Sequence, residues 1–410
     1  MFQRKLGGMI AIAAIVAAAC GPSGSASTAP TTGPATGTPA TGAPPSTAPA
    51  TQAAIGEGEG ALKLVIWAGY AERGDADPAY DWVTPFEKAT GCKVTTQDMT
   101  DSNNGVSLIQ SGEYDGISAS GDATTRLIEG DLVAPIDTSM LPNYANVFPA
   151  LKDLPHNTVD GVNYGVPHGR GPNLLGYNKE VITTAPTSWD PIWEGGSAYK
   201  GKISIYDSSI FIADAALHLM KTKPDLGIKD PYQLTQAQFD EAIKLLQALD
   251  ANEPTYWGLA ANQQASFTAG DVVVGTTWQY QVNLLAADKQ PIEAVLPEEG
   301  STGWSDTWMM AKGAAHPNCM LKWMDHMMSA EANAQATIWF GEAPTSQQAC
   351  DAAEAISPGH CEQMHATDEA YFGKVHYWAT PQADCKDDDA ATTCVTQDDW
   401  VNAWTALRGG

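Results

Sequence analysis

From Pro22 to Gly60 the chain consists almost wholly of Pro, Ser, Thr, Ala and Gly, with Gln52, Ile55, Glu57 and Glu59 as the exceptions. Such a stretch buries too little apolar surface to offset the entropy of ordering it. Folding is therefore expected only after it. As a flexible coil the segment should span on the order of 30 to 40 Å, and its Thr and Pro content permits O-glycosylation. The full chain has 410 residues, 43% of them hydrophobic. The part beyond the coil is long enough for two packed lobes, since single cores stop growing near 250 to 300 residues, to order of magnitude.

Ahead of the coil, Arg4 and Lys5 precede an apolar run from Gly7 to Ala19. The run is too short to span a bilayer comfortably and matches the hydrophobic region of a secretory signal. It ends Val16-Ala17-Ala18-Ala19-Cys20-Gly21, which resembles the lipobox of bacterial lipoproteins, although Ala17 stands where that motif prefers Leu. The resemblance implies removal of residues 1–19, a lipidated Cys20 and a membrane anchor; ordinary A-x-A cleavage, leaving Cys20 incidental, is the alternative. The working part is expected outside the cytoplasmic membrane.

Twenty-two basic against 48 acidic side chains give a net charge of -26. That field repels phosphate backbones, so nucleic acid is not expected as a partner. The acidity reads either as a solubility device or as attraction for cations. Six of the 7 cysteines follow Cys20. In an exported chain an even number favours disulfides, with about fifteen connectivities open. Short loops favour Cys350 with Cys361 and Cys385 with Cys394, which leaves Cys92 for Cys319. A metal site from His360, Cys361, Glu362 and His365 competes with this, but its spacing completes no tetrahedral set.

Hydrophobic patterning predicts strands over 62–67 and 93–99 with a helix over 82–88 between them, stopping at Gly91. Helix is expected over 107–111 and 124–129, and extended chain over 114–120, 165–167, 174–178, 203–206 and 272–276. Thr235 and Gln238 form a capping box ahead of Phe239, Ile243, Leu246 and Leu249, which share one helical face. Strands alternating with helices indicate an α/β protein. No H-E-x-x-H, P-loop or G-x-S-x-G is present in the folding part, and the Gly-Glu-Gly-Glu-Gly run at 56–60 belongs to the coil. An enzyme is therefore not expected.

The segments Leu64-Val-Ile-Trp67-Ala-Gly-Tyr70, Pro85-Phe-Glu-Lys-Ala-Thr-Gly91, Gly112-Glu-Tyr-Asp115, Tyr164-Gly-Val-Pro167, Tyr199-Lys-Gly-Lys-Ile203 and Trp304-Ser-Asp306 occur in this order. In that order the body, over residues 62–345, resembles bacterial extracellular solute-binding proteins, in particular the spermidine/putrescine-binding proteins of ABC importers. The resemblance implies a two-lobed α/β periplasmic-binding-protein fold of type II, its lobes joined by crossing strands around a ligand cleft. Lobe 1 would comprise residues 61–165 and 305–345, and lobe 2 residues 166–304 and 346–410, after a signal at 1–19 and a tether at 20–60. It further implies closure over a small amine, handover to an ABC permease complex in the membrane, and no cofactor, metal or catalysis.

Matched residue by residue, the family's ligand-facing aromatics fall at Trp67, Tyr70, Trp278 and Trp304, and its ammonium-binding carboxylate at Asp306. Aromatic faces attract cations by about 0.5 to 2 kcal/mol each, and an enclosed carboxylate fixes an ammonium by charge and hydrogen bonding. The alternative for each Trp is a plain core residue. Two family acids are absent: Ser208 and Phe211 stand in their places, with Asp207 nearby. Asp122, beside the matching Ser120, is either a relocated second carboxylate or a helix cap. Arg170 is either a cleft cation suited to a zwitterion or a salt link between lobes. Glu342 lies near the family's late aromatic contact. A sugar receptor, whose Trp residues stack on pyranose rings, and a surface structural or adhesive lipoprotein that has kept the fold are the competing readings.

Overall fold

The computed structural model describes residues 54–194, 196–385 and 392–409. The expected signal segment, Cys20 and the expected tether up to residue 53 lie outside the described residues.

Two five-stranded sheets organise the body. In the first, Lys93–Asp98, Ala61–Ile66 and Gly116–Ala119 run parallel, and Thr307–Met310 and Gly165–Pro167 extend the sheet in antiparallel pairing. Strand alternation explains its burial: Leu62, Leu64 and Ile66 join one apolar cluster with Phe86, Trp308 and Trp323, while Val65 joins another with Ile117, Leu127 and Met309. Both faces are covered, as a largely parallel sheet requires. The helix Val83–Thr90 makes the crossover and stops at Gly91, whose φ of 73° is left-handed and whose N–H bonds the Glu87 carbonyl.

The second sheet repeats the arrangement with Thr255–Trp257, Ile203–Tyr206 and Val274–Thr277 parallel, then Leu174–Asn178 and Ile292–Val295 antiparallel. Ile203, Ile205 and Phe211 sit in its main core with Trp400, and Phe267, Leu285 and Ile292 form a separate cluster. The helix Gln236–Asp250 starts at Thr235 with both halves of the capping box made.

The chain crosses between the sheets twice. Gly171–Pro172 pairs with Ser301–Trp304, and Val375–Tyr377 adds a third strand to this connection. The crossings make the fold a two-lobed α/β architecture.

Three departures from the sequence pattern have physical causes. A helix expected over 107–111 runs from Ser102 to Gln110, because the Asp101 carboxylate accepts the N–H groups of Asn103 and Asn104 and caps an otherwise loop-like Ser-Asn-Asn start. Residues 54–60, expected to belong to the coil, are held at their end: Ile55 packs on the first lobe, and Glu59 accepts the N–H groups of Asn318 and Cys319 at the start of the helix Pro317–Met327. The segment 347–372, expected within lobe 2, packs Cys350, Met364, Ala366 and Phe372 with Ala343 in a small separate cluster, because its apolar side chains gather on that residue just past the helix Ala330–Phe340.

The cysteine pairs Cys92 and Cys319, Cys350 and Cys361, and Cys385 and Cys394 stand at disulfide distance, with Cα separations of 5.7, 5.7 and 5.2 Å. Cys361 is thus engaged by sulfur, and His360 bonds the Glu342 carbonyl through Nε2 at 3.1 Å. The metal alternative at 360–365 has lost two of its four donors.

Candidate functional site

In open α/β sheets, side chains just past the carboxyl ends of parallel strands face the crevice where ligands bind. Both lobes obey this. Trp67 follows Ala61–Ile66, Met99 and Thr100 follow Lys93–Asp98, and Ser120 follows Gly116–Ala119. From the other lobe Tyr206 ends its strand, Gly258 follows Thr255–Trp257, and Trp278 follows Val274–Thr277. Together with Trp304, Asp306 and Phe340 these residues line one cavity of about 430 Å³ between the lobes.

Asp306 sits in the two-residue turn between the crossing strand Ser301–Trp304 and Thr307–Met310. Its carboxylate is buried and accepts hydrogen bonds from Ser120 Oγ at 2.7 Å and Tyr70 Oη at 2.8 Å. Burial pushes its pKa up to about 6; the bonds from Ser120 and Tyr70 oppose that rise, Glu342 adds to it and His168 subtracts. Burial, with Asp306 and Glu342 nearby, also holds the Tyr70 phenol well above its ordinary range, so it remains a donor. The Tyr70 ring stacks on His168 at 4.1 Å and meets Phe340 edge-on at 4.6 Å.

Facing this base is an aromatic wall. Tyr206 stacks on Trp378 with an interplanar angle of 9°, and Trp278 packs against both Tyr206 and Trp257. A buried relay orients the Trp278 indole: its Nε1 donates to Asn173 Oδ1 at 2.8 Å, Asn173 Nδ2 donates to Thr302 Oγ1 at 2.6 Å, and that hydroxyl donates to Asp214 Oδ1 at 2.9 Å. Burial lifts the Asp214 carboxyl to about 7.

Trp67, Tyr70, Ser120, Trp278, Trp304 and Asp306 therefore share one cavity. The other five sequence candidates lie elsewhere. Asp122 is in the first turn of the helix Gly121–Glu129, buried and bonded by Ser102 Oγ at 2.9 Å. Arg170 is buried between Glu369 at 3.0 Å, the Ala366 carbonyl and the Phe372 ring, which lies 3.7 Å from its guanidinium carbon. Its charge is spent within the protein and not presented to a ligand. Asp207 accepts from Trp404 Nε1 at 3.1 Å and Arg408 Nε at 3.2 Å. Ser208 caps the short turn Ser209–Phe211. Glu342 is buried beside His168, 3.3 Å from its Nε2; the aromatics that line the cavity near this point are Trp339 and Phe340, at the end of the helix Ala330–Phe340.

Several lining residues escape the sequence pattern. Tyr206 and Thr100 carry a usable signal, since each ends or follows a strand that the pattern marks. Trp378, Trp339 and Tyr280 carry none, because long loops and helices bring them in. Glu72 also lines the cavity, and burial together with Asp75 and Asp98 raises its pKa. Among the described residues the cavity wall has two carboxylates, Asp306 and Glu72, and no Lys, Arg or His.

The family model for bacterial extracellular solute-binding proteins matches residues 81–363. The spermidine/putrescine-binding periplasmic protein 1 of Haemophilus influenzae is 26% identical over 302 residues, which cover 72% of this chain and 78% of the relative. The corresponding protein of Escherichia coli K12 is 24% identical over 294 residues, 69% of this chain and 81% of its own. A solved putative spermidine/putrescine ABC transporter from Listeria monocytogenes superposes with a TM-score of 0.68 at 20% identity, covering 85% of this chain and 99% of that one. With its two lobes, its crossing strands and a cavity walled from both sides, the chain belongs to the bacterial extracellular solute-binding protein family.

Proposed function

We propose that this protein is the substrate-binding lipoprotein of an ABC importer and captures a small cationic amine, of polyamine type, by closing its lobes over it. The carrying observation is the composition of the cavity: aromatic faces around a buried Asp306, with Glu72 as a second carboxylate and no basic side chain on the described wall. An ammonium on Asp306 completes a charge-assisted pair in a low-dielectric site, and the rings add cation–π attraction. A zwitterion fits less well, since Arg170, the cation considered for its carboxylate, is paired to Glu369 away from the cavity. The relatives' names support the same ligand class. Because the contacts come from both lobes, ligand favours the closed state, and a membrane permease would recognise that state. Removal of residues 1–19, a lipid on Cys20, the tether and three formed disulfides complete the proposal and set the protein outside the cytoplasmic membrane.

The test is a thermal-shift and calorimetric panel of putrescine, spermidine, cadaverine, betaine, arginine and neutral sugars. An amine at a hundredfold excess over its dissociation constant should stabilise the protein by about 2.7 kcal/mol, and Asp306→Asn should abolish that shift. Stabilisation by a neutral sugar that survives Asp306→Asn overturns the proposal in favour of a glycan receptor.

A further inference from the structure

We infer a second binding site in this protein, for a divalent cation of the zinc class, formed by Asp190, Glu194 and His218 in the second lobe. None of the three lines the amine cavity. Asp190 opens the short helix Asp190–Trp193, and Glu194, four residues later, stands one turn on and therefore on the same face. His218 comes from the neighbouring helix Ile212–Thr222. One donor atom from each residue lies within 4.8 Å of the other two.

A feature of His218 itself marks this as a place for a ligand. The imidazole of His218 is 3% exposed, and its Nδ1 is buried with no hydrogen-bond partner. A buried polar atom left unpaired carries its full desolvation cost, so native proteins rarely keep one without a use. The ring is also held in place, stacked on Trp193 with an interplanar angle of 29°. Next to the cluster, Glu299 Oε2 is a second buried atom without a partner, while Glu299 Oε1 accepts the Trp189 N–H at 2.8 Å. Lys221 is 3.5 Å from Glu299, and neither Asp190 nor Glu194 has an ion pair among the described residues.

The donor set selects the ion. One imidazole with two carboxylates suits a borderline cation such as Zn²⁺, with water completing the coordination. Mg²⁺ and Ca²⁺ prefer shells of oxygen alone. Two carboxylates balance the charge of a divalent ion, and the metal would pin the helix Asp190–Trp193 to the helix carrying His218. That second helix also carries Asp214, the end of the relay that orients Trp278.

The experiment uses the mature protein, dialysed against chelator and then titrated calorimetrically with ZnCl₂, with a parallel CoCl₂ titration read in the visible. One equivalent of zinc should bind and raise Tm. His218→Ala and the exposed Glu194→Gln should each weaken binding at least tenfold, and the Co²⁺ spectrum should lose intensity with them. Should His218→Ala fail to fold, Glu194→Gln carries the test alone. Zinc uptake that Glu194→Gln leaves unchanged, or no stoichiometric uptake at all, overturns the site; the latter would mean that water satisfies His218. Amine binding by the chelated protein is measured alongside, so that failure here is distinguishable from failure of the amine proposal.

Discussion

Asp306 is a carboxylate that folding makes costly to ionise. Its pKa of about 6 in the folded protein, set mainly by burial, compares with about 4 in an unfolded chain. Between those values the folded state holds a proton that the unfolded state has released, so the ligand-free protein loses stability as pH rises from about 4 to about 6. For this group the loss amounts to about 3 kcal/mol. An ammonium ligand needs the ionised form, so amine affinity should rise across the same interval and level off above about pH 7. Tm measured from pH 4 to pH 8 on the wild type and Asp306→Asn, with and without amine, checks both signs. Relative to the variant, the ligand-free wild type should weaken as pH rises, and only the wild type should show an amine shift that grows with pH. Asp214 titrates in both proteins and cancels from the difference. Glu72 is predicted to discriminate ligands by charge number: Glu72→Gln should weaken a diamine at least fivefold and a monoamine of equal length less than twofold, as read by calorimetry.

At the scale of elements, the crossing strands set the position of the site. Gly303 lies between two neighbouring strands, where a Cβ would fall 2.3 Å from Val375 Cγ1 and 2.7 Å from the Gly171 carbonyl. The backbone there cannot give way without moving Trp304, the next residue. Gly303→Ala is expected to cost about 1 to 3 kcal/mol, seen as a lower denaturant midpoint, with weakened amine binding. Elements with local signals were legible in advance. Gly91 and the Thr235 capping box act within one turn of chain, so their geometry follows from adjacent residues. The early start of the helix at Ser102 was not, because it depends on a single capping carboxylate ahead of helix-poor residues.

Across the whole molecule, the carboxyl-terminal helix Gln397–Gly409 is part of the second lobe's core. Trp400 is fully buried there, and Trp404 and Arg408 hold Asp207. This explains why Asp207 is not available as a ligand anchor despite its place after a central strand. Trp400→Ala should cost about 3 to 5 kcal/mol, measured by equilibrium unfolding, and removal of the helix from residue 397 should be more damaging still. The same tail delivers Trp378 to the cavity, and Thr380 Oγ1 donates to the Asp122 carbonyl at 2.9 Å, joining the lobes. Distant chain thus completes a site whose first half lies near residue 67.

Periodicity in the amino-acid sequence determined the alternation of strands and helices, and short loops the pairs Cys350 with Cys361 and Cys385 with Cys394, whereas Cys92 with Cys319 was the remainder and the six cavity residues were implied by the family resemblance. Only the tertiary structure decided which charges face the cavity. Arg170, Asp207 and Glu342 sit within reach of the cleft in sequence, yet each is turned to a partner contributed by a different segment. Glu72 and Trp378 become wall residues through packing that no short window of sequence encodes. The physical reason is that a buried charge goes where its desolvation is best compensated, and that compensation comes from groups brought together by the fold.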